Sequence, residues 1–169
     1  IFGFLFGRPL IDLLRRKQGK GQPIRDDGPQ SHLAKAGTPT MGGLLILSAL
    51  MVSTLLWARL DNPFVWIVIL VTLAFGLIGF ADDYAKVTKQ NTNGVSSRIR
   101  MLAGLLIAAI AGAAAAWVHP EALTNQLALP VFKNVLINLG ILFVPFARLG
   151  IVGAANAVYL TDGLDGLAV

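Results

Sequence analysis

The sequence predicts an all-α fold, a polytopic bundle of transmembrane helices, and three observations carry that prediction. Of the 169 residues, 55% are hydrophobic and 14% charged, against about 25% charged in an average soluble domain. Three uncharged runs of at least 18 residues lie at 41–58, 63–81 and 101–118. Lys and Arg gather in alternate connections between the runs. A soluble domain of this size buries only about 70% of its chain area, so a mean hydropathy of +0.69 does not suit one. The same composition excludes a disordered chain. The lack of cysteine excludes a disulfide scaffold. The net charge of +5 reads as a topology signal, since membrane proteins concentrate Lys and Arg in cytoplasmic loops; nucleic acid is not an expected partner.

The elements follow in order. Residues 1–14 form a short apolar stretch interrupted by Arg8 and Asp12, which reads as the inner end of a partial span. Residues 15–40 carry Arg15, Arg16, Lys17, Lys20, Arg25 and Lys35. The run 41–58 is long enough, at about 27 Å as a helix, to nearly cross a hydrocarbon core. The connection 59–62 has one basic residue, Arg59, and the span 63–81 follows. Residues 82–100 carry Lys86, Lys89, Arg98 and Arg100. In the span 101–118, Gly104, Ala108, Gly112 and Ala116 recur every fourth residue, a spacing that lets helices approach closely. Residues 119–130 have no basic residue. A fifth span is expected over 135–154, kinked at Pro145; Arg148 within it should face protein, water or headgroups. The positive-inside rule places 15–40, 82–100 and 155–169 in the cytoplasm. The whole chain is one membrane domain of about five spans.

Membrane insertion does not account for every polar residue. Asp82 and Asp83 stand at the inner end of the span 63–81, and Asp162 and Asp165 follow the last span on the same side. Carboxylates gathered on one face suit Mg²⁺, a hard cation commonly shared with substrate phosphates. Lys35, Lys86 and Lys89 could stabilise phosphoryl oxygens. Solvated helix ends and Asp-Gly turns explain the same acids without chemistry. The segment Lys35-Ala-Gly-Thr-Pro-Thr-Met-Gly-Gly43 offers hydroxyls and free N–H groups at a helix start, although it also serves as an ordinary helix entry. No Walker or dinucleotide-binding glycine pattern occurs. His32 and His119 fall on opposite sides of the membrane in this topology and form no metal pair.

Taken together, Lys35 to Gly43, Gly79-Phe-Ala-Asp-Asp-Tyr84 and the stretch from Asn156 through Leu160-Thr-Asp-Gly-Leu-Asp-Gly-Leu-Ala168 resemble the phospho-N-acetylmuramoyl-pentapeptide transferase family. That family lies within the polyprenyl-phosphate N-acetylhexosamine-1-phosphate transferases of peptidoglycan synthesis. Arg25-Asp-Asp-Gly-Pro-Gln-Ser-His32 also resembles the family's first cytoplasmic loop. The match runs along essentially the whole chain, in order.

The resemblance implies an enzyme of the bacterial inner membrane with its active face in the cytoplasm. It would transfer phospho-MurNAc-pentapeptide from UDP-MurNAc-pentapeptide to undecaprenyl phosphate, yielding lipid I and UMP with Mg²⁺ as cofactor. Asp82 and Asp83 match the catalytic aspartate pair near the metal and lipid phosphate, with Asp82 the candidate base. A phosphate monoester with its second pKa at about 6 is already mostly ionised at pH 7, so positioning and charge neutralisation fit Asp82 better than strong base catalysis. Lys35 and Thr40 match the nucleotide-sugar site. Lys86 matches a basic residue near the phosphates. Asn156, Asp162 and Asp165 match the loop shaping the uridine and diphosphate pocket. Partners implied are both substrates, membrane lipids and a second copy in a homodimer.

Several positions depart from the family pattern. Tyr159 replaces an Asn, Asn93 replaces a frequent Lys, and Pro145 and Arg148 are unusual in the fifth span. The family has about ten spans, twice the number read here. Its later half brings a further metal-ligand Asp, which would lie beyond Val169, and a histidine-rich loop. The chain therefore reads as the N-terminal half of such an enzyme, inactive alone. A sister transferase using UDP-GlcNAc shares the same chemistry. A helical transporter component or an inactive assembly fragment is the competing class, but a transporter should carry its acids within the spans.

Overall fold

The computed structural model describes residues 2–18, 41–90, 94–118, 125–128 and 136–161. Five helices dominate: α1 (Phe2–Gln18), α2 (Gly43–Trp57), α3 (Pro63–Lys89), α4 (Ser97–Val118) and α5 (Phe143–Thr161). Two short strands, β1 (Gln126–Ala128) and β2 (Leu136–Asn138), lie between α4 and α5. The chain divides into two compact units, Ile1–Asp61 with Thr72–Arg100, and Asn62–Val71 with Met101–Val169.

In the first unit α1 packs on α2. Among the described positions of α1, Gly7, Leu14 and Gln18 are buried, seven and four residues apart, so one stripe of the helix faces inward. Leu45 of α2 touches the position of Gly7, with its Cδ2 3.7 Å from where a Cβ would stand. Arg15, Arg16 and Lys17 occupy the last turn of α1, where cations favour the helix dipole.

Helix α3 starts for local reasons. Asn62 Oδ1 accepts the Phe64 N–H at 3.0 Å, and Pro63 occupies the first helical position, where its missing N–H costs nothing. The helix runs 27 residues, two turns past the apolar stretch that ends at Ala81. It stops at Gln90, whose φ of 48° is a left-handed helix terminator. The expected loop 82–100 is thus helical at both ends, over 82–89 in α3 and 97–100 in α4.

In the second unit α4 buries Gly104, Ala108, Ala111 and Gly112, so three of the four small residues picked out by spacing lie inward. Gly112 meets α5: a Cβ there would stand 3.4 Å from Ala147 Cβ and 3.6 Å from Val144 Cγ1.

Before α5 the expected span 135–154 requires correction. Residues 136–138 are a strand, pairing antiparallel with β1 in the register Gln126↔Asn138, Leu127↔Ile137 and Ala128↔Leu136. The turn chemistry of Asn138-Leu139-Gly140 overrides the apolar run. Gly140 adopts φ 50°, which disfavours side-chain-bearing residues, and its N–H donates to Asn138 Oδ1 at 2.8 Å. A short 3-10 turn, Gly140–Leu142, then leads into α5. The helix is displaced toward the C-terminus and reaches Thr161. Pro145 therefore sits in the first turn of α5, where no i−4 carbonyl awaits its N–H, and the expected kink has no cause. Arg148 is exposed.

Among the described residues, three helical stretches are long and apolar enough to cross a membrane: Pro63–Lys89, Ser97–Val118 and Gly140–Val158, with mean hydropathies of 2.6, 2.2 and 1.8. Helix α2 is equally apolar but, at 15 residues, reaches only about 22 Å. Only 6%, 22% and 6% of the three long stretches is buried, and apolar surface exposed on this scale belongs in lipid rather than in water. The chain is a membrane protein.

Candidate active site

The last turns of α3 read Phe80-Ala-Asp-Asp-Tyr-Ala-Lys86. No Gly or Pro interrupts them, so the helix passes through both acids. Asp82 and Lys86 are four residues apart and share a face. The Lys86 Nζ lies 2.7 Å from Asp82 Oδ2.

The approach to α4 completes the cluster. Ser96 accepts the Ile99 N–H on its Oγ at 3.4 Å and the Arg100 N–H on its carbonyl at 3.1 Å, capping the helix start. That cap fixes the first turn of α4 and aims Arg100 at α3: its Nη1 stands 3.6 Å from the same Asp82 Oδ2. The backbone just upstream closes the other side, where the Val95 N–H donates to Asp82 Oδ1 at 2.8 Å. Gly94 lies against the carboxyl, and a Cβ at this position would be 2.7 Å from Asp82 Cγ and 2.9 Å from Lys86 Cε. Backbone approach this close is open to glycine alone.

Asp82 is thus the hub of a partly desolvated charge cluster. Its side chain is 8% exposed, against 18% for Lys86 and 25% for Arg100. Burying a lone carboxylate is costly; two cations and an amide offset that cost here. The competing reading of Asp82 as part of a solvated helix end does not hold, because the residue is buried within α3.

The described residues do not fit a metal site on their own. One Asp82 oxygen is held by an amide and the other by two cations, which leaves the carboxylate poorly suited to ligate a divalent ion. Among the described residues no group of three or more His, Asp or Glu side chains could hold a metal.

The other expected residues fare differently. Asp83 follows Asp82 on α3 and is half-buried. Lys86 joins Asp82 as described. Asn156 lies on α5 in the second unit, where its Nδ2 donates to the Val152 carbonyl at 2.8 Å, tying the amide to its own helix. Lys35, Thr40, Asp162 and Asp165 lie outside the described residues.

Three participants were not picked out as site residues from sequence: Arg100, Gly94 and Val95. Spacing along one helix points to Lys86 but not to Arg100, which is 18 positions from Asp82 in the sequence. Only the turn before α4 brings it back.

Comparison with known proteins agrees with the ordered motifs. The family model for glycosyl transferase family 4 matches residues 65–169. A phospho-N-acetylmuramoyl-pentapeptide-transferase signature matches residues 35–47. Among curated relatives, proteins named phospho-N-acetylmuramoyl-pentapeptide-transferase are 73% identical in Ruegeria pomeroyi, 70% in Ruegeria sp. strain TM1040 and 67% in Dinoroseobacter shibae. Each alignment covers all of this chain and 47% of the relative, so the chain spans about half the length of the curated relatives it matches.

Proposed function

Because the chain belongs to glycosyl transferase family 4, we propose that it is the N-terminal part of an enzyme that moves phospho-MurNAc-pentapeptide from UDP-MurNAc-pentapeptide to undecaprenyl phosphate. The observation that carries this reading is identity of 67–73% along the whole chain to relatives named for that transfer. In the reaction, an oxygen of the lipid phosphate forms a bond to the sugar-bearing phosphorus of the nucleotide. The bond from that phosphorus to the UMP phosphate oxygen breaks, and UMP leaves with the electron pair. Lipid I is the other product.

The charge cluster suits part of this work. Two anionic phosphates must approach one another, and cations held in place reduce their repulsion without reorganising. The acceptor phosphate is mostly ionised at neutral pH, so the reaction needs positioning more than deprotonation. Lys86 and Asp83 are the proposed contributors from α3. Lys35, Thr40, Asn156, Asp162 and Asp165 are the proposed contributors to nucleotide binding. Mg²⁺ is the proposed cofactor of the full-length enzyme, and its site needs carboxylates beyond those described. Because the chain spans about half the length of the relatives it matches, residues 1–169 alone should not turn over.

The proposed location is the bacterial inner membrane, with the α3–α4 connection in the cytoplasm. The orientation rests on the Lys and Arg of the alternate connections, and Trp57, Trp66 and Trp117 bear on the membrane boundary alone. They stand at the ends of α2, α3 and α4 away from the basic connections, where aromatic residues mark a membrane boundary. A homodimer is the proposed assembly.

The test is UMP release by the full-length protein, in detergent with undecaprenyl phosphate. UDP-MurNAc-pentapeptide should be consumed, and UDP-GlcNAc should not. The reverse preference would assign the sister reaction, and release from neither would refute the reading.

A further inference from the structure

We propose that Asp82 is a positioning residue and that Arg100, through it, belongs to the phosphate-handling site. The carboxylate joins Lys86 of α3 to Arg100 of α4 and sets the two cations together for the phosphates of an anionic substrate. This inference rests on the transferase reading.

The bonding of Asp82 carries the argument. Oδ1 accepts the Val95 N–H at 2.8 Å. Oδ2 faces Lys86 at 2.7 Å and Arg100 at 3.6 Å. A general base needs an oxygen within reach of the proton it takes, and a metal ligand needs one aimed at the ion. Asp82 has both oxygens committed and only 8% of its side chain exposed. Gly94 closes that side so tightly that an added Cβ would force Asp82 or Lys86 to shift.

Lys86 and Arg100 would repel each other if they converged on one point without an anion. Asp82 removes that obstacle. It draws a cation from each helix to a single oxygen, and its other oxygen anchors the backbone leading into α4. Arg100 is therefore held by the same group that orients Lys86. The two cations form one unit although they come from different helices.

A base or metal-ligand role predicts that Arg100 is dispensable, whereas a positioning role predicts that Arg100 and Asp82 act as one. The experiment is a double-mutant cycle on the full-length protein in nanodiscs, reading UMP release from UDP-MurNAc-pentapeptide with undecaprenyl phosphate. Arg100→Gln and Asp82→Asn should each lower kcat/KM by about tenfold or more, as expected for losing a hydrogen-bonded charge partner. The double variant should be within about threefold of the weaker single variant, because coupled residues are not additive. Arg100→Lys, which restores the cation, should recover to within about threefold of the parent. Exchange of the Val95 amide, followed by mass spectrometry, should accelerate in Asp82→Asn, an effect that neither a base nor a metal ligand requires.

Multiplied losses in the double variant, or equal rates in Arg100→Gln and the parent, would overturn the proposal. If Asp82→Asn does not fold, the Arg100 pair decides: a low rate for Gln with a high rate for Lys supports the unit, and equal rates for the two refute it. A parent protein that releases no UMP defeats the transferase reading instead, and the Val95 exchange then still tests whether Asp82 holds the backbone.

Discussion

Replacing Gly94 with Ala adds one methyl group at the most crowded point of the charge cluster. An added Cβ would lie 2.7 Å from Asp82 Cγ and 2.9 Å from Lys86 Cε, both inside contact distance. The flexible lysine stem can give way at small cost. The carboxyl cannot, since Val95, Lys86 and Arg100 hold it from three directions. Either the backbone before α4 moves away or Asp82 rotates and releases a partner. Overpacking of this kind costs about 1–3 kcal/mol. Because Gly94 does not have a left-handed φ, alanine also narrows the unfolded ensemble, which returns about 0.4–1 kcal/mol. The net expectation is a loss of about 1–2 kcal/mol. Gly79→Ala is the control on α3, since nothing lies within 4 Å of its Cβ position; it should stabilise by about 0.5–1 kcal/mol as a helix-interior glycine is removed. Thermal unfolding of the full-length protein in detergent should rank Gly79→Ala above the parent and Gly94→Ala below it. Faster exchange at the Val95 amide should accompany the second variant. A Gly94→Ala protein as stable as its parent, with unchanged exchange, would refute the close approach and the cluster built on it.

Three further outcomes are expected. Gly112→Leu should separate α4 from α5, because even a methyl would meet Ala147 Cβ at 3.4 Å; a loss of about 1–3 kcal/mol should appear as a lower unfolding temperature, and an unchanged one would contradict the α4–α5 contact. Gly140→Val should lose about 1–2 kcal/mol, since a branched side chain is strained at φ 50°; the same thermal assay checks it. Asp83→Asn should cut kcat by about 10²–10³, the usual cost of removing one electrostatic group from an active site, while the protein still elutes as a folded species. Unchanged turnover would remove Asp83 from the mechanism.

How much of this was legible in the sequence depended on whether the governing interactions are local. The uncharged runs at 63–81 and 101–118 became α3 and α4 because helical hydrogen bonding is the ready solution for a long apolar stretch in lipid. The buried face of α4 followed from four-residue spacing. The run at 135–154 misled, because hydropathy does not distinguish a helix from a strand and turn; Asn138 and Gly140 decided the matter through one side-chain hydrogen bond and a left-handed φ. At the site, the pairing of Asp82 with Lys86 was available from helical spacing. Its burial was not, because that depends on Gly94, Val95 and Arg100 folding back from the far side of a turn. No periodicity records that return.

The central claim is tested most directly by isolating the lipid product. The full-length protein, incubated with UDP-MurNAc-pentapeptide and undecaprenyl phosphate, should yield undecaprenyl diphosphate carrying MurNAc-pentapeptide, identified by mass, with UMP in equal amount. UDP released in place of UMP would mean that the bond between the sugar and the diphosphate is broken rather than the bond between the two phosphates, and absence of any lipid-linked product would contradict the account.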